Sequence, residues 1–491
     1  MPSLNEIIAA GRRTEARPWP RAVVTGEAWR DLTQMFAERR ATLLGLWGEP
    51  GAAHMAAIDE GTAEIAVITL ECADGTFPSV GALHPPAIRL ERAIHDLYGL
   101  TPVGAPDARP WLDHGRWKEG ASPAPYAFLP VEGENLHQIP VGPVHAGIIE
   151  PGHFRFTANG ETVVRLEERL GYVHKGIEGL MAGAPLDKAV RLAGRVSGDS
   201  TVAYALAFAQ AVEAALDAKA PPRAVYLRAL MAELERLANH FGDIGGICND
   251  ASFAIMLTHC GILREHVLRA ADACFGHRLM MDRVVPGGVA HDLDAEGIAG
   301  ARALTDEIRR VFPRLVALYD NTASLQDRTV TTGNLNVALA RQFGAGGYVG
   351  RASGRAFDAR RTPGYAPYGE LTFDVPVLDA GDVNARVWVR IREVEQSLAL
   401  IDQILRRLPD GPTRIDLPGS VSGEGLALVE AFRGEVLAWV RIADGHVVRC
   451  HLRDASWFQW PLLEAVIEGN IVADFPLCNK SFNCSYSGHD L

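Results

Sequence analysis

Between Arg223 and Phe241 the apolar residues Leu227, Leu230, Met231, Leu234, Leu237 and Phe241 recur at steps of three and four. That spacing lines them up on one stripe of an α-helix, and the stripe needs other helical surfaces to cover it. The surrounding span, Asp187 to His277, reads as long helices, and further helical segments run from Ala301 to Leu318 and from Val387 to Leu408. The last is closed by Pro409-Asp410-Gly411-Pro412, which cannot continue a helix. A helical bundle is the expected body of the protein.

The first part of the chain has a different rhythm. Residues 20 to 118 read as a small α/β unit: a helix around Gly26 to Arg40, a strand from Ile65 to Leu70 and a short helix from Pro86 to Tyr98. The stretch KEGASPAPYAFLPVEGENLHQ that follows is rich in turn formers and lacks periodicity, as connectors do. Near the other end, EVLAWVRI and HVVRCHLR flank Ala443-Asp444-Gly445, a hairpin signal. The expected fold class is α+β: a small N-terminal α/β domain (1–120), a linker (121–138) and a large, mainly helical-bundle domain with peripheral β-hairpins (139–491).

With 491 residues, 48% of them hydrophobic, each domain can bury a core. A formal net charge of -12 leaves no basic excess to displace counterions, so nucleic acid is not expected as a partner. No apolar run approaches the ~18 to 20 residues of a membrane helix, and Met1 to Arg13 lacks the pattern of a secretory signal, which makes a cytoplasmic location the expectation. The seven cysteines form no CxxC pair and read as reduced, mostly buried thiols.

Two groups of segments carry a resemblance. ERAIHDLYGL (Glu91 to Leu100) and PDARPWL (Pro106 to Leu112) resemble the C subunit of complex I, the NADH:quinone oxidoreductase. GPVHAGIIEPGHFRF, LGYVHKGIEGL, AELERLANHFGDIG, RLMMDRVVPGGV, QDRTVTTG, FGAGGYVGRASGRAFDARR, FDVPV and RIREVEQSL, in that order, resemble the D subunit of complex I and the large subunit of membrane-bound (group 4) nickel-iron hydrogenases. C followed by D in one chain is similar to the fused large subunits of the hydrogenase-4 and formate hydrogenlyase type. The resemblance implies a hydrogenase large-subunit-like fold. It also implies a place in the peripheral arm of a membrane-bound oxidoreductase, with an iron-sulfur small subunit, a ferredoxin-like subunit and antiporter-like, ion-translocating membrane subunits as partners.

The resemblance also locates what this chain lacks. Hydrogenases of this kind hold nickel and iron with four thiolates from two CxxC pairs, soft ligands for soft metals. The first pair falls here at Ala193 and Val196; the second falls at Ser485 and Gly488, or, shifted by one residue, at Cys484 and Ser487. At most one thiolate remains, so nickel is not expected and no cofactor is assigned to the chain itself. In the D subunit, one loop His and one helix Tyr hold a quinone; the first His position is kept here as His145, the second is Ile149, and the Tyr position is Gly194. A quinone remains a possible ligand, with His145, His153, Arg195 or Asp199 as substitute donors. Glu150, followed by Pro151, matches the hydrogenase loop in which a Glu begins a proton path, although an exposed loop carboxylate is an equal reading. The pocket candidates are thus His145, Glu150, Arg195 and Asp199.

Arg351, Arg355, Asp358, Arg328 and Asp374 lie in segments that the resemblance places beside the cluster-bearing partner, where Arg and Asp pairs fix register and tune the cluster. No dinucleotide fingerprint is present, so any NADH oxidation belongs to other subunits. The leading expectation is electron transfer from an adjacent iron-sulfur subunit toward a quinone-type acceptor without a working nickel-iron site. A non-catalytic scaffold that clamps the cluster subunit is the alternative, and a true hydrogenase with unusual ligands the third.

Overall fold

The computed structural model describes residues 2–117, 125–145, 149–419 and 422–491. The strand expected at Ile65–Leu70 runs one residue further at each end, Glu64–Glu71, and lies inside a five-stranded sheet, paired on both sides. Across that sheet the strands run Arg12–Arg13, Arg21–Val23, Glu64–Glu71, Ala52–Asp59 and Thr42–Glu49, with Met55 opposite both Ile68 and Leu46. The helix Gly26–Ala37, capped by the Thr25 hydroxyl, and the helix Ile88–Tyr98 bury Trp29, Leu32, Leu90 and Ile94.

The predicted bundle is present, with longer members than periodicity alone indicates. The Leu227 stripe lies on a helix of 29 residues, Pro222–Asp250, packed against Ala254–Phe275 and Val383–Arg407. The last begins before Val387 because the Asp382 carboxylate accepts the Ala385 N–H, an N-cap within a polar stretch, and it stops two residues before Pro409. Ala295–Asp320 completes the group and contains Pro313.

Thr201–Ala215 is apolar on nearly every side, and the structure puts it in the middle. It lies directly on a sheet of four strands, His446–Arg453, Gly434–Ala443, Gly423–Ala431 and Ala16–Arg17. Gly423 and Gly425 permit the approach, since a Cβ on either would run into the carbonyls of Ala215 or Ala211. The Asp444-Gly445 turn joins two strands as the sequence indicates, and both are largely buried. The parallel pairing of Gly423–Ala431 with Ala16–Arg17 ties the N-terminal segment into this interior sheet, and Arg21 seals it with a buried fork to Glu424 at 2.5 and 2.7 Å. A further three-stranded sheet, Leu136–Val141, His153–Asn159 and Thr162–Arg169, borders the C-terminal tail.

All seven cysteines are free and buried. Among the described residues no helix is long and apolar enough to cross a membrane.

Candidate functional site

The segment after the helix Leu186–Ala193 and the tail Cys484–Leu491 meet inside the protein. The Ser197 and Ser485 hydroxyls are 3.1 Å apart, and Ser197 Oγ also donates to Asp199 Oδ1 at 2.7 Å. Ser485 caps the final short helix, Tyr486–Asp490, by accepting the Gly488 N–H at 2.9 Å. Trp460 Nε1 donates to the Ser485 carbonyl, and Ser485 N–H donates to Ser456 Oγ. The tail is fastened again at its far end: the Asp490 carboxylate accepts the N–H groups of Gly171 and Val173, and the Leu491 carbonyl accepts those of Lys175 and Gly176.

Asp199 sits in a fork made by Arg433, at 2.8 and 2.5 Å, and Arg433 Nε reaches the Asn483 carbonyl. Burial opposes the charge of Asp199, but the guanidinium outweighs it and brings the carboxyl down to about 2. Asp199 is therefore ionised at neutral pH and accepts hydrogen bonds rather than donating them. Arg433 is the residue that sequence reasoning missed. It lies in the turn between two strands, and the glycine run beside it is the only signal: Gly347 has φ +57°, and a Cβ there would strike the Arg433 carbonyl. Gly346 and Gly347 are spacers that let the Gly347–Arg351 segment close over this turn.

Of the four pocket candidates, three gather round the tail. Asp199 reaches it through Ser197. Glu150, exposed, accepts the Ser487 N–H at 3.1 Å. His145 Nε2 bonds the Gly152 carbonyl at 2.7 Å, and Gly152 packs so closely on Tyr486 that a Cβ would lie 2.7 Å from its ring. Arg195 does not join them: it is exposed and forms a fork with Asp282 at 2.9 and 2.8 Å. His153 hydrogen-bonds the Gly142 carbonyl at 3.2 Å.

Beneath Asp199, Glu235 accepts the N–H groups of Val202 and Ala203 and so caps the helix Thr201–Ala215 from a neighbouring helix. Burial outweighs those two bonds and raises its carboxyl to about 8.

The vestigial metal positions do not fit a four-thiolate centre. Ala193 and Val196 are apolar and fully buried. A Cβ on Gly488 would stand 2.6 Å from Asp454 Oδ2 and 2.8 Å from Ser485 Oγ, so a side chain there requires these two side chains to shift. Cys484, on the alternative alignment, is buried near Gln459, and burial pushes its thiol well above the ordinary range. Among the described residues no three His, Cys, Asp or Glu side chains come together as a metal-binding group.

The Arg-rich segment lies elsewhere. Arg351, wholly buried, bonds Glu393 and Glu430 at 2.8 Å each; Arg360 forks onto Asp358 and reaches Glu233 at 3.0 Å; His240 meets Glu393 at 2.7 Å. Arg355 crosses to Glu60 of the N-terminal part at 2.6 Å. Arg351, Arg355 and Asp358 are thus engaged within the chain, while Arg328, half-buried, pairs with Asp474, and Asp374 is exposed.

Comparison with known proteins agrees with this architecture. Residues 243–422 match the family of the respiratory-chain NADH dehydrogenase 49 Kd subunit, and residues 51–126 that of its 30 Kd subunit. The chain is 32% identical to formate hydrogenlyase subunit 5 of Escherichia coli (strain K12), over 84% of this chain and 77% of that protein. It is 31% identical to the D subunit of the NADH-quinone oxidoreductase of Desulfotalea psychrophila, over 68% of this chain and 91% of that one. A chain of the membrane-bound sulfane sulfur reductase, an archaeal respiratory membrane complex, superposes with a TM-score of 0.69 at 26% identity, covering 74% of this chain and 100% of its own. The protein belongs to the fused 30 Kd/49 Kd family of complex I-type oxidoreductase subunits, together with the large subunits of the formate hydrogenlyase type.

Proposed function

We propose that this subunit works in the peripheral arm of a membrane-bound oxidoreductase without a nickel-iron centre, and passes electrons from an adjacent iron-sulfur subunit toward a quinone-type acceptor. The observation that carries the reading is the closure at Ser197 and Ser485: where the resemblance would bring the thiolates together, two hydroxyls bond each other, and a side chain at Gly488 would displace Asp454 and Ser485. Soft-metal ligation there would require rebuilding the tail. The division into 1–120 and 139–491 goes with this reading, as do an iron-sulfur partner, a ferredoxin-like subunit and antiporter-like membrane subunits. Arg328 and Asp374, the accessible members of their set, are the better candidates for contact with the cluster-bearing partner.

In this reading the residues around the tail bind and orient. Asp199, held ionised by Arg433, fixes the Ser197 hydroxyl, and Glu150 fixes Ser487; proton delivery falls to His145 or to groups nearer the acceptor. The same closure favours a second reading, a scaffold that clamps the cluster subunit and performs no chemistry. The test is the purified complex at full cluster occupancy, analysed for nickel and assayed with decylubiquinone and, because of its structural neighbour, with dimethyl trisulfide. Reduction of the quinone without nickel supports the proposal. Reduction of the trisulfide alone moves the acceptor to sulfane sulfur, no turnover supports the scaffold, and stoichiometric nickel with hydrogen evolution overturns both readings.

A further inference from the structure

The helix Ile88–Tyr98 of the N-terminal part is joined to the strand Thr162–Arg169 and the helix Ser456–Ile467 by one guanidinium. Arg89 Nη1 donates to Glu168 Oε2 at 3.2 Å, and Arg89 Nη2 lies 2.7 Å from Glu464 Oε1. The same Glu464 oxygen accepts the Glu168 N–H at 2.7 Å, so the two carboxyls are held side by side. Arg89 also lies over the Trp111 ring, 4.6 Å from its centroid.

Two carboxyls thus share one cation in the interior. One can ionise against Arg89; the other carries an uncompensated buried charge unless it takes a proton. The surroundings supply no further cation. Arg92 is held by Asp107 at 3.0 Å and by Tyr126, Arg109 by Asp107 and Glu167 at 2.6 Å each, and Arg169 donates to the carbonyls of Trp111 and Asp113. Arg165, on the same strand, lies toward Glu464 and makes no bond to either carboxyl. From the tail, Cys484, Tyr486 and His489 are the nearest titratable groups, and burial keeps each of them uncharged.

Glu168 is the seat of the proton. Its side chain is 0% exposed against 22% for Glu464, and its Oε1 is buried and makes no hydrogen bond among the described residues. A bare oxygen in the interior costs less on a neutral acid than on a carboxylate. Burial and the adjacent Glu464 charge hold the Glu168 carboxyl well above its ordinary range, and burial raises Glu464 as well.

We propose that Arg89, Glu168 and Glu464 form a proton-binding site that fastens the N-terminal part to the C-terminal part. With one proton the triad is neutral and closed; without it a net negative charge stands in the joint and loosens it. Both folded values exceed the ordinary 4.5, so the contribution is fully present below about pH 4.5 and is lost as pH rises through the folded values. The site is separate from the Ser197–Ser485 closure and does not depend on the acceptor proposed above.

The experiment follows amide exchange in the purified complex from about pH 5 to about pH 9, corrected for the intrinsic rate, in the segments Ile88–Tyr98 and Thr162–Arg169. In the parent the opening constant of these segments is expected to rise about tenfold per pH unit until the site has lost its proton. Glu168→Gln imitates the protonated acid and leaves Arg89 one carboxylate; it is expected to match the parent at about pH 5 and to remove the rise. Glu464→Gln also leaves one carboxylate, is expected to remove the rise too, and serves where Glu168→Gln does not fold. The infrared difference between the parent and Glu168→Gln at about pH 7 is expected to show the C=O stretch of a protonated carboxylic acid. An equal pH slope in the parent and both variants overturns the proposal, as does protection lost in Glu168→Gln at every pH, or an infrared difference that shows only a carboxylate.

Discussion

Ser197 and Ser485 are 288 positions apart in the chain, yet their hydroxyls are 3.1 Å apart. Each stands at or beside a position where the resemblance to nickel-iron hydrogenase large subunits would put a metal-binding cysteine. The contact links the segment after the helix Leu186–Ala193 to the C-terminal tail. Ser485 also caps the final helix, so one side chain holds both the tail's direction and its docking.

Ser485→Ala removes the cap and the bond to Ser197 together. A loss of about 1–2 kcal/mol in denaturant unfolding is expected. Faster amide exchange at Ser487–Leu491, with the helix Pro222–Asp250 unchanged, distinguishes a loosened tail from general destabilisation.

Returning the thiolates does not return the centre. The variant Ala193→Cys, Val196→Cys, Ser485→Cys, Gly488→Cys places a Cβ at position 488 against Asp454 and against the new side chain at position 485. Gly488→Ala alone is expected to cost about 1–3 kcal/mol. Elemental analysis of the quadruple variant, expressed with a nickel-insertion system, should find nickel well below one per chain; a stoichiometric value would mean that the tail relaxes.

Arg351 holds Glu393 and Glu430 in the interior, and no water-exposed route relieves them if it is lost. Arg351→Met is expected to destabilise by about 3–5 kcal/mol, since two buried carboxylates lose their counter-charge. Pairing it with Glu430→Gln should recover part of the loss, which a double-mutant cycle measures.

Two carboxyls make stability depend on pH in the neutral range. Three guanidiniums, Arg236, Arg351 and Arg360, face four carboxylates, Glu233, Asp358, Glu393 and Glu430; burial and the nearby Asp358 charge raise Glu430 to about 7, and burial raises Glu235 to about 8. Both folded values exceed the ordinary 4.5, so their contribution is fully present below about pH 4.5 and is lost as pH rises through 7 and 8. Glu235→Gln keeps an oxygen for the helix cap and loses the titration. Relative to the parent it should gain on the order of 2–4 kcal/mol between pH 5 and pH 9, followed by unfolding across that range. A constant difference would show that Glu235 does not titrate there.

The helices, the Asp444-Gly445 hairpin and the absence of four thiolates were all legible in the sequence. Helical periodicity and turn chemistry act between residues a few positions apart, and a metal's need for sulfur is a matter of residue type. Packing of the Thr201–Ala215 helix on Gly423 and Gly425 was not legible, because small residues mark a close approach without naming the partner. The Arg-rich segment shows the same limit. Its charges in sequence say that pairs form, whereas burial of Arg351, Arg355 and Asp358 within the chain depends on which helices cover them. Asp199 was visible as a candidate, but its ionisation depends on Arg433, 234 residues away. The local code determined the elements and the residue types at each position; the tertiary structure alone decided which charges meet, because a carboxylate's state follows from the dielectric and counter-charge that distant segments bring to it.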